Sequence, residues 1–393
     1  MEYISSFLNY AVSSVSHNST QVPSDTITCF HYFKLNKNNA IHLHLAIGYE
    51  RGFEVWDFQI LENPQLLLSV RNSGVKKLIF SDIDPFGSLL ITSLYQTLDF
   101  TLSSFHVFSL SKCKVTKIIN TLKEIESIET SGRYIVCSTV NNSIELYQNF
   151  IRINVLNPFL SNIDSLRPVF ALIGKTLAFT FVLKSSKAYK ITGEIMNFAS
   201  VSLESFLGRS ALLTGSVYNQ VSVVDIQTNT KVQEIHAFEV AVNYIEFGVN
   251  GKFMCLCPEH GQSFHIYRLE DIYILVYTLY RGVSLAKIIN ISFSQDESFI
   301  AITSNKGTSH LYTLEPNPKI LTYKQSVTDR IKLDAIGCYY YNNQDLLILT
   351  KVGVVFLKTS EKLLHVCQVS RPIDFKCKFP VIEEFETPVE CYN

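Results

Sequence analysis

Residues 45–57 read Leu45-Ala46-Ile47-Gly48-Tyr49-Glu50-Arg51-Gly52-Phe53-Glu54-Val55-Trp56-Asp57: an apolar strand, a small or polar turn, then an apolar strand ending in an aromatic. The same unit returns at 134–147 (YIVCSTVNNSIELY), 253–267 (FMCLCPEHGQSFHIY), 299–312 (FIAITSNKGTSHLY) and 346–357 (LLILTKVGVVFL). Weaker copies lie at 89–108, with an enlarged turn, and at 176–226, where two halves flank an insertion. The turns favour Gly or Asn because φ must go positive there. Before several copies stands another strand of the form Ile289-Asn290-Ile291-Ser292-Phe293-Ser294, followed by a polar turn at Gln295, Asp296 and Glu297. Copies recur every 40–45 residues or so, the span of one four-stranded blade whose second and third strands they supply. A sandwich also alternates strands and turns, but it does not repeat one unit seven times. The expectation is an all-β fold, a seven-bladed β-propeller of WD-repeat type over 23–375, with an insertion at about 183–210.

The ends differ from this body. Residues 1–22 are Ser-rich and Gly-free, with Ile4, Phe7, Leu8, Ala11, Val12 and Val15 at helical spacing. They read as a short helical or disordered N-terminal segment. Its sharper use is an interfacial helix that senses lipid packing defects, since its polar face carries Ser rather than Lys or Arg. Residues 376–393 read as a C-terminal tail.

Composition bounds the function. Of 393 residues, 47% are hydrophobic, 12% aromatic and 18% charged, which suits a folded body with a large core. Lys and Arg number 34 against 35 Asp and Glu, so no global basic field draws in nucleic acid. Recognition of a phosphate has to be local. Nine cysteines without framework spacing point to a reducing compartment. With neither a secretory signal nor a run of the roughly 18 apolar residues that a spanning helix needs, the chain reads as cytoplasmic.

Residues 236–314 hold the most specific signal: His236-Ala237 at the entry to one blade, then Leu279-Tyr280-Arg281-Gly282 between two blades. Ala286, Ile288 and Ile291 lead from there into Phe293-Ser294-x-Asp296, and Lys306-Gly307-Thr308-Ser309-His310 precedes an aromatic. These features resemble the PROPPIN family of autophagy-related phosphoinositide-binding propellers, and within it the breast-carcinoma-amplified-sequence branch. Gly48-Tyr49 through Val55-Trp56 is also similar to the first blade of that branch. The likeness covers most of 41–314 at pattern level and is specific over about 80 residues.

The resemblance implies a double-arginine motif ending in Gly, each arginine serving one pocket for a phosphorylated inositol head group. A guanidinium suits this because its planar fork donates paired, charge-assisted hydrogen bonds to phosphate oxygens. Here the second arginine is Arg281 and the first is Tyr280. The resemblance places Ser304, Thr308 and His310 as phosphate ligands around Arg281, with Lys306 adding charge from the turn. Ser304, Lys306, Thr308 and His310 alternate, so on regular strands they share a face. The other pocket is damaged. Its arginine is Tyr280, its hydroxyl positions are Pro258 and Gln262, and Pro has no donor at all. One head group rather than two is expected, of phosphatidylinositol 3-phosphate or 3,5-bisphosphate. A turn arginine paired with a carboxylate is the bland alternative for Arg281.

Other clusters have structural readings. Cys255, Cys257, His260 and His265 suggest a metal site, but on a strand–turn–strand four such ligands do not converge, and buried cysteines are the expectation. Asp82 with Asp84 and Glu383 with Glu384 fit a solvated turn and tail; His42 and His44 share a strand face. Trp56-Asp57 is a structural dipeptide. Residues 315–324, after the sixth unit, place Ile320, Leu321 and Tyr323 between Lys319 and Lys324, where the resembled family carries a membrane-touching loop; an edge strand is the alternative. No nucleophile elbow, zinc helix or P-loop occurs. The expected function is a non-catalytic scaffold without a cofactor, monomeric, recruited peripherally to phagophore or endolysosomal membranes, with autophagy proteins as partners and no nucleic acid. The alternative is a protein-binding propeller whose lipid pocket is vestigial.

Overall fold

The computed structural model describes residues 27–37, 40–58, 65–71, 74–84, 87–96, 101–156, 168–180, 220–238, 240–314, 323–325, 329–332, 335–343, 345–350, 353–358, 363–367, 381–382 and 391–392. The expected N-terminal helix and the insertion at 183–210 lie outside them. Among the described residues the regular elements are all strands, and the fold is an all-β WD-repeat propeller.

The strands form seven sheets, numbered here 1 to 7 in chain order, each built on four antiparallel strands. Every recurrent unit supplies the second and third strands of a sheet: Ala40–Tyr49 with Gly52–Asp57 in sheet 1, Phe253–Pro258 with Ser263–Leu269 in sheet 5, and Phe299–Ser304 with Thr308–Thr313 in sheet 6. The split copy at 176–226 does the same, as Thr176–Thr180 and Gln220–Asp225 in sheet 4. First strands of successive sheets lie against one another, which makes them the innermost strands of the ring.

Both faces of each sheet are covered, so the middle strands are apolar at nearly every position. Leu89, Leu90 and Ile91 are all buried, as are Ile300, Ala301 and Ile302. Alternate side chains go to opposite neighbours. Ile300 and Ile302 pack toward sheet 5 with Phe264 and Tyr277, whereas Ala301 packs toward sheet 7 with Ala335 and Cys338. Such clusters join each sheet to the next, and a last one sets Leu45 and Ile47 of sheet 1 on Leu347 and Leu349 of sheet 7.

Three outermost strands gain a further parallel strand. Tyr323–Gln325 adds to sheet 5, Val381–Ile382 to sheet 1 and Cys391–Tyr392 to sheet 2. The expected tail thus contributes two short strands. The backbone of 323–325 takes the edge-strand alternative for that segment, and 315–322 lie outside the described residues.

Candidate phosphate-binding crevice between two sheets

Sheets 5 and 6 are joined by residues 281–287, which cross from the outermost strand Tyr273–Tyr280 to the innermost strand Ile288–Phe293. The connection runs between two hairpin turns, 259–262 of sheet 5 and 305–307 of sheet 6, and is bonded to both. Arg281 N donates to Gln262 O at 2.8 Å, Ala286 N to His260 O at 3.2 Å, and Asn305 N to Lys287 O at 2.8 Å. Side chains add to this bracing. Arg281 Nε donates to Gly261 O at 2.6 Å, its Nη2 donates to Ser284 O, and Gln262 Nε2 donates to Val283 O. Gly261, at φ +56°, permits the close approach: a Cβ there would sit 2.2 Å from Ala286 O.

Across the crevice, Ser304 pairs with Thr308 and Ile302 with His310. The three residues between Ser304 and Thr308 form a tight turn, closed by Gly307 N donating to Ser304 O at 2.9 Å, with Gly307 at φ +70°. Because Ile302 and Tyr312 face sheet 5, Ser304, Thr308 and His310 on the same face point toward sheet 5 as well. Thr303 and Ser309 face the other way and bond to each other at 2.8 Å. Arg281 belongs to the same crevice. Burial pushes the Cys257 thiol and the Tyr312 phenol well up, and the Arg281 charge beside them offsets part of that rise. Tyr312 Oη donates to Tyr280 O at 3.1 Å, fixing the start of the connection against sheet 6.

The structure therefore turns Ser304, Thr308 and His310 toward sheet 5, the side on which Arg281 lies near Cys257 and Tyr312. Lys306 is the exception to the expected shared face. The chain reverses at 305–307, so Lys306 stands exposed at the turn tip, while Ser304, Thr308 and His310 are almost fully buried. Sequence alternation holds only while a strand continues, and here it stops one residue after Ser304.

At the second, damaged position the residues have other work. Pro258 ends a buried strand, and its carbonyl accepts from Gly261 N at 3.0 Å. Gln262 holds the Val283 carbonyl, a role invisible in sequence because its partner lies 21 residues away. Tyr280 is 43% exposed and carries no charge. The cysteine–histidine group does not converge. Cys255 and Cys257 pack toward sheet 6, while His265 stacks on Phe238 at 4.1 Å toward sheet 4. His42 and His44 both approach Asp57 Oδ2, at 3.5 and 3.9 Å, which gives their shared face a structural use.

The family profile described as BCAS3, WD40 repeat, matches residues 217–331, the stretch that contains this crevice. Autophagy-related protein 18h of Arabidopsis thaliana is 26% identical over 137 residues, 29% of this chain and 15% of that protein. Autophagy-related protein 18e of the same plant is 23% identical over 168 residues, 42% of this chain and 44% of that protein. The chain is a relative of the autophagy-related WD-repeat propellers. Its matches thus span less than half the length of these relatives. Among solved structures, the complex of KlAtg21 with the coiled-coil of AgAtg16 contains a propeller that superposes with a TM-score of 0.62 at 11% identity, over 84% of this chain and 94% of that one. At that identity the superposition speaks for the fold alone. No helix among the described residues is long and apolar enough to cross a membrane.

Proposed function

We propose that this chain is a non-catalytic propeller scaffold of autophagy or endolysosomal membrane traffic, each sheet one blade of a seven-bladed ring. It is recruited from the cytoplasm to phagophore or endolysosomal membranes by one phosphoinositide head group, phosphatidylinositol 3-phosphate or 3,5-bisphosphate. Arg281 supplies the charge, Ser304, Thr308 and His310 supply neutral donors, and Lys306 adds a cation from the turn. The relatives' names support the autophagy setting, and the Atg21–Atg16 complex supports protein partners of that machinery. The observation that supports the lipid reading is that Ser304, Thr308 and His310 face sheet 5, on the side where Arg281 lies near Tyr312, although they stand 23 to 29 residues from Arg281 in the chain.

Binding requires the crevice mouth to open, because Ser304, Thr308 and His310 are buried. The guanidinium then exchanges its carbonyl contacts for phosphate oxygens. That burial also favours a second reading, a propeller that binds only proteins and keeps the crevice as architecture. Arg281→Ala separates the two. Loss of a charge-assisted bidentate pair weakens binding to phosphoinositide vesicles by about tenfold to more than a hundredfold. Removal of two side-chain bonds that brace an exposed loop lowers stability by only about 1–2 kcal/mol, so the variant is expected to stay folded in a thermal melt. Equal vesicle binding by wild type and variant, or none by either, leaves the protein-scaffold reading standing.

A further inference from the structure

The connection that carries Arg281 also carries the most exposed large apolar side chain among the described residues. Val283 is 93% exposed and Leu285 is 58% exposed, with Tyr280 beside them. Such exposure normally marks a slack loop tip, but this loop is not slack. Residues 281–286 are pinned by Arg281 N, Gln262 Nε2 and Ala286 N, each donating to a named carbonyl, and none of these three bonds uses the guanidinium that turns to a phosphate. The Val283 carbonyl is held inward by Gln262 while its side chain stands out in water.

A rigid backbone that presents two aliphatic side chains outward, one residue apart, forms a wedge rather than a groove. Two side chains are too little surface for a stable protein interface, which buries about 1,200 Å² or more. They are enough for a membrane, where each apolar group adds to an electrostatic signal and stable anchoring takes two signals together. The charges around the wedge agree. Turn 259–262, connection 281–287 and turn 305–307 together hold Arg281, Lys287 and Lys306 against the single carboxylate of Glu259, a balance that suits an anionic lipid surface.

We infer that Val283 and Leu285 insert into the headgroup–acyl boundary of the same membrane whose phosphorylated head group occupies the Arg281 crevice. The crevice then selects the lipid, and the wedge converts a weak head-group contact into retention on the bilayer. This rests on the phosphoinositide reading above, and the test keeps the two apart.

The full chain is assayed against a soluble head group, inositol 1,3-bisphosphate, and against phosphatidylcholine vesicles with and without phosphatidylinositol 3-phosphate. In the double variant Val283→Ser with Leu285→Ser, soluble head-group affinity stays within about twofold of wild type, and vesicle affinity falls by about tenfold or more. Arg281→Ala loses both. V283W adds a direct readout, because the only native tryptophan, Trp56, is buried and gives a constant background. Its emission is expected to shift to the blue with phosphoinositide vesicles and to stay unshifted with the soluble head group. Wild-type vesicle binding by the double variant, or an unshifted V283W that still binds vesicles, overturns the wedge and leaves the crevice intact. Failure of the wild type to bind either probe removes the crevice reading and the wedge with it.

Discussion

At the scale of single residues, the dipeptide Trp56-Asp57 draws the eye in the sequence, but the residue that organises its blade is Glu54. Its carboxylate is almost fully buried and accepts from Tyr49 Oη and Trp56 Nε1, each at 3.0 Å, and from Arg71 Nη2 at 2.5 Å. Tyr49, Glu54 and Trp56 belong to the recurrent unit and Arg71 to the last strand of the same sheet, so one carboxylate ties three strands. Removing the carboxylate strips the buried Tyr49 and Trp56 donors of their acceptor and the partly buried Arg71 of its ion pair. Glu54→Ala is expected to cost about 3–5 kcal/mol, read as a lower urea midpoint at unchanged m-value, with Glu54→Gln losing less because it keeps an acceptor. An unchanged midpoint would mean that Arg71 and Trp56 find other partners. An alternating pattern reveals that Glu54 sits on a strand; it does not reveal that three donors from two other positions of the repeat and a later strand meet there.

At the scale of elements, the innermost strands have an edge that pairs with no further strand among the described residues, and at two sheet boundaries side chains of the neighbouring sheet bond to it. Glu129 Oε2 accepts from Leu172 N at 3.0 Å, Asn290 Oδ1 from Cys338 N at 2.9 Å, and Ser292 Oγ from Tyr340 N at 3.2 Å. These bonds link residues 43 and 48 apart, about one repeat, so the spacing of the sequence is also the spacing of the contacts. Glu129 lies on an innermost strand with Lys77, Tyr244 and Glu246 in its electrostatic surroundings. Burial raises its pKa to about 7, with Lys77 holding it down in part. Between pH 4.5 and 7 the folded chain therefore keeps a proton that the unfolded chain has released, so this group's contribution to stability falls as pH rises through that window. Glu129→Gln keeps an acceptor for Leu172 and removes the titration. Its urea midpoint should vary less between pH 4.5 and 8 than that of wild type, with the gain over wild type largest at pH 8. Glu246, raised well above the usual carboxylate range by burial and by Glu129, keeps some slope of the same sign. Identical pH profiles would place the Glu129 carboxyl in water-like surroundings.

At the scale of the whole molecule, the first four-strand set and the last meet by packing, and among the described residues no strand is exchanged between them. Sheets 1 and 7 meet through Leu45, Ile47, Leu347 and Leu349, and Phe30 packs edge-on to Tyr339 at 5.6 Å. Gly337 makes room for that ring: a Cβ there would lie 2.3 Å from Phe30 Cζ, and its φ is not in the left-handed region, so space is the whole reason for glycine. Gly337→Ala is expected to destabilise by about 1–3 kcal/mol through overpacking, lowering the thermal midpoint. Adding Phe30→Leu should recover part of the loss. A neutral Gly337→Ala would show that the junction is loosely packed. The short parallel strands Val381–Ile382 and Cys391–Tyr392 add to sheets 1 and 2, so the end of the chain lies across the blades next to this junction.

The repeat of strand, turn and strand was enough to specify an all-β ring and to place each unit as the second and third strands of a sheet, because hydrophobic runs and turn chemistry are local properties. Arg281, Ser304, Thr308 and His310 were legible as a group through their spacing around one turn and through the resembled motif. Three things were decided only by the tertiary structure. The reversal at 305–307 takes Lys306 off the shared face, because side-chain alternation ends where the strand ends. The bracing of Val283 by Gln262 and of Ser284 and Gly261 by Arg281 arises where the connection folds back on the 259–262 turn, and it leaves Val283 exposed on a held backbone. The closure at Gly337 depends on Phe30, over 300 residues away in the chain, which only a completed ring brings within contact.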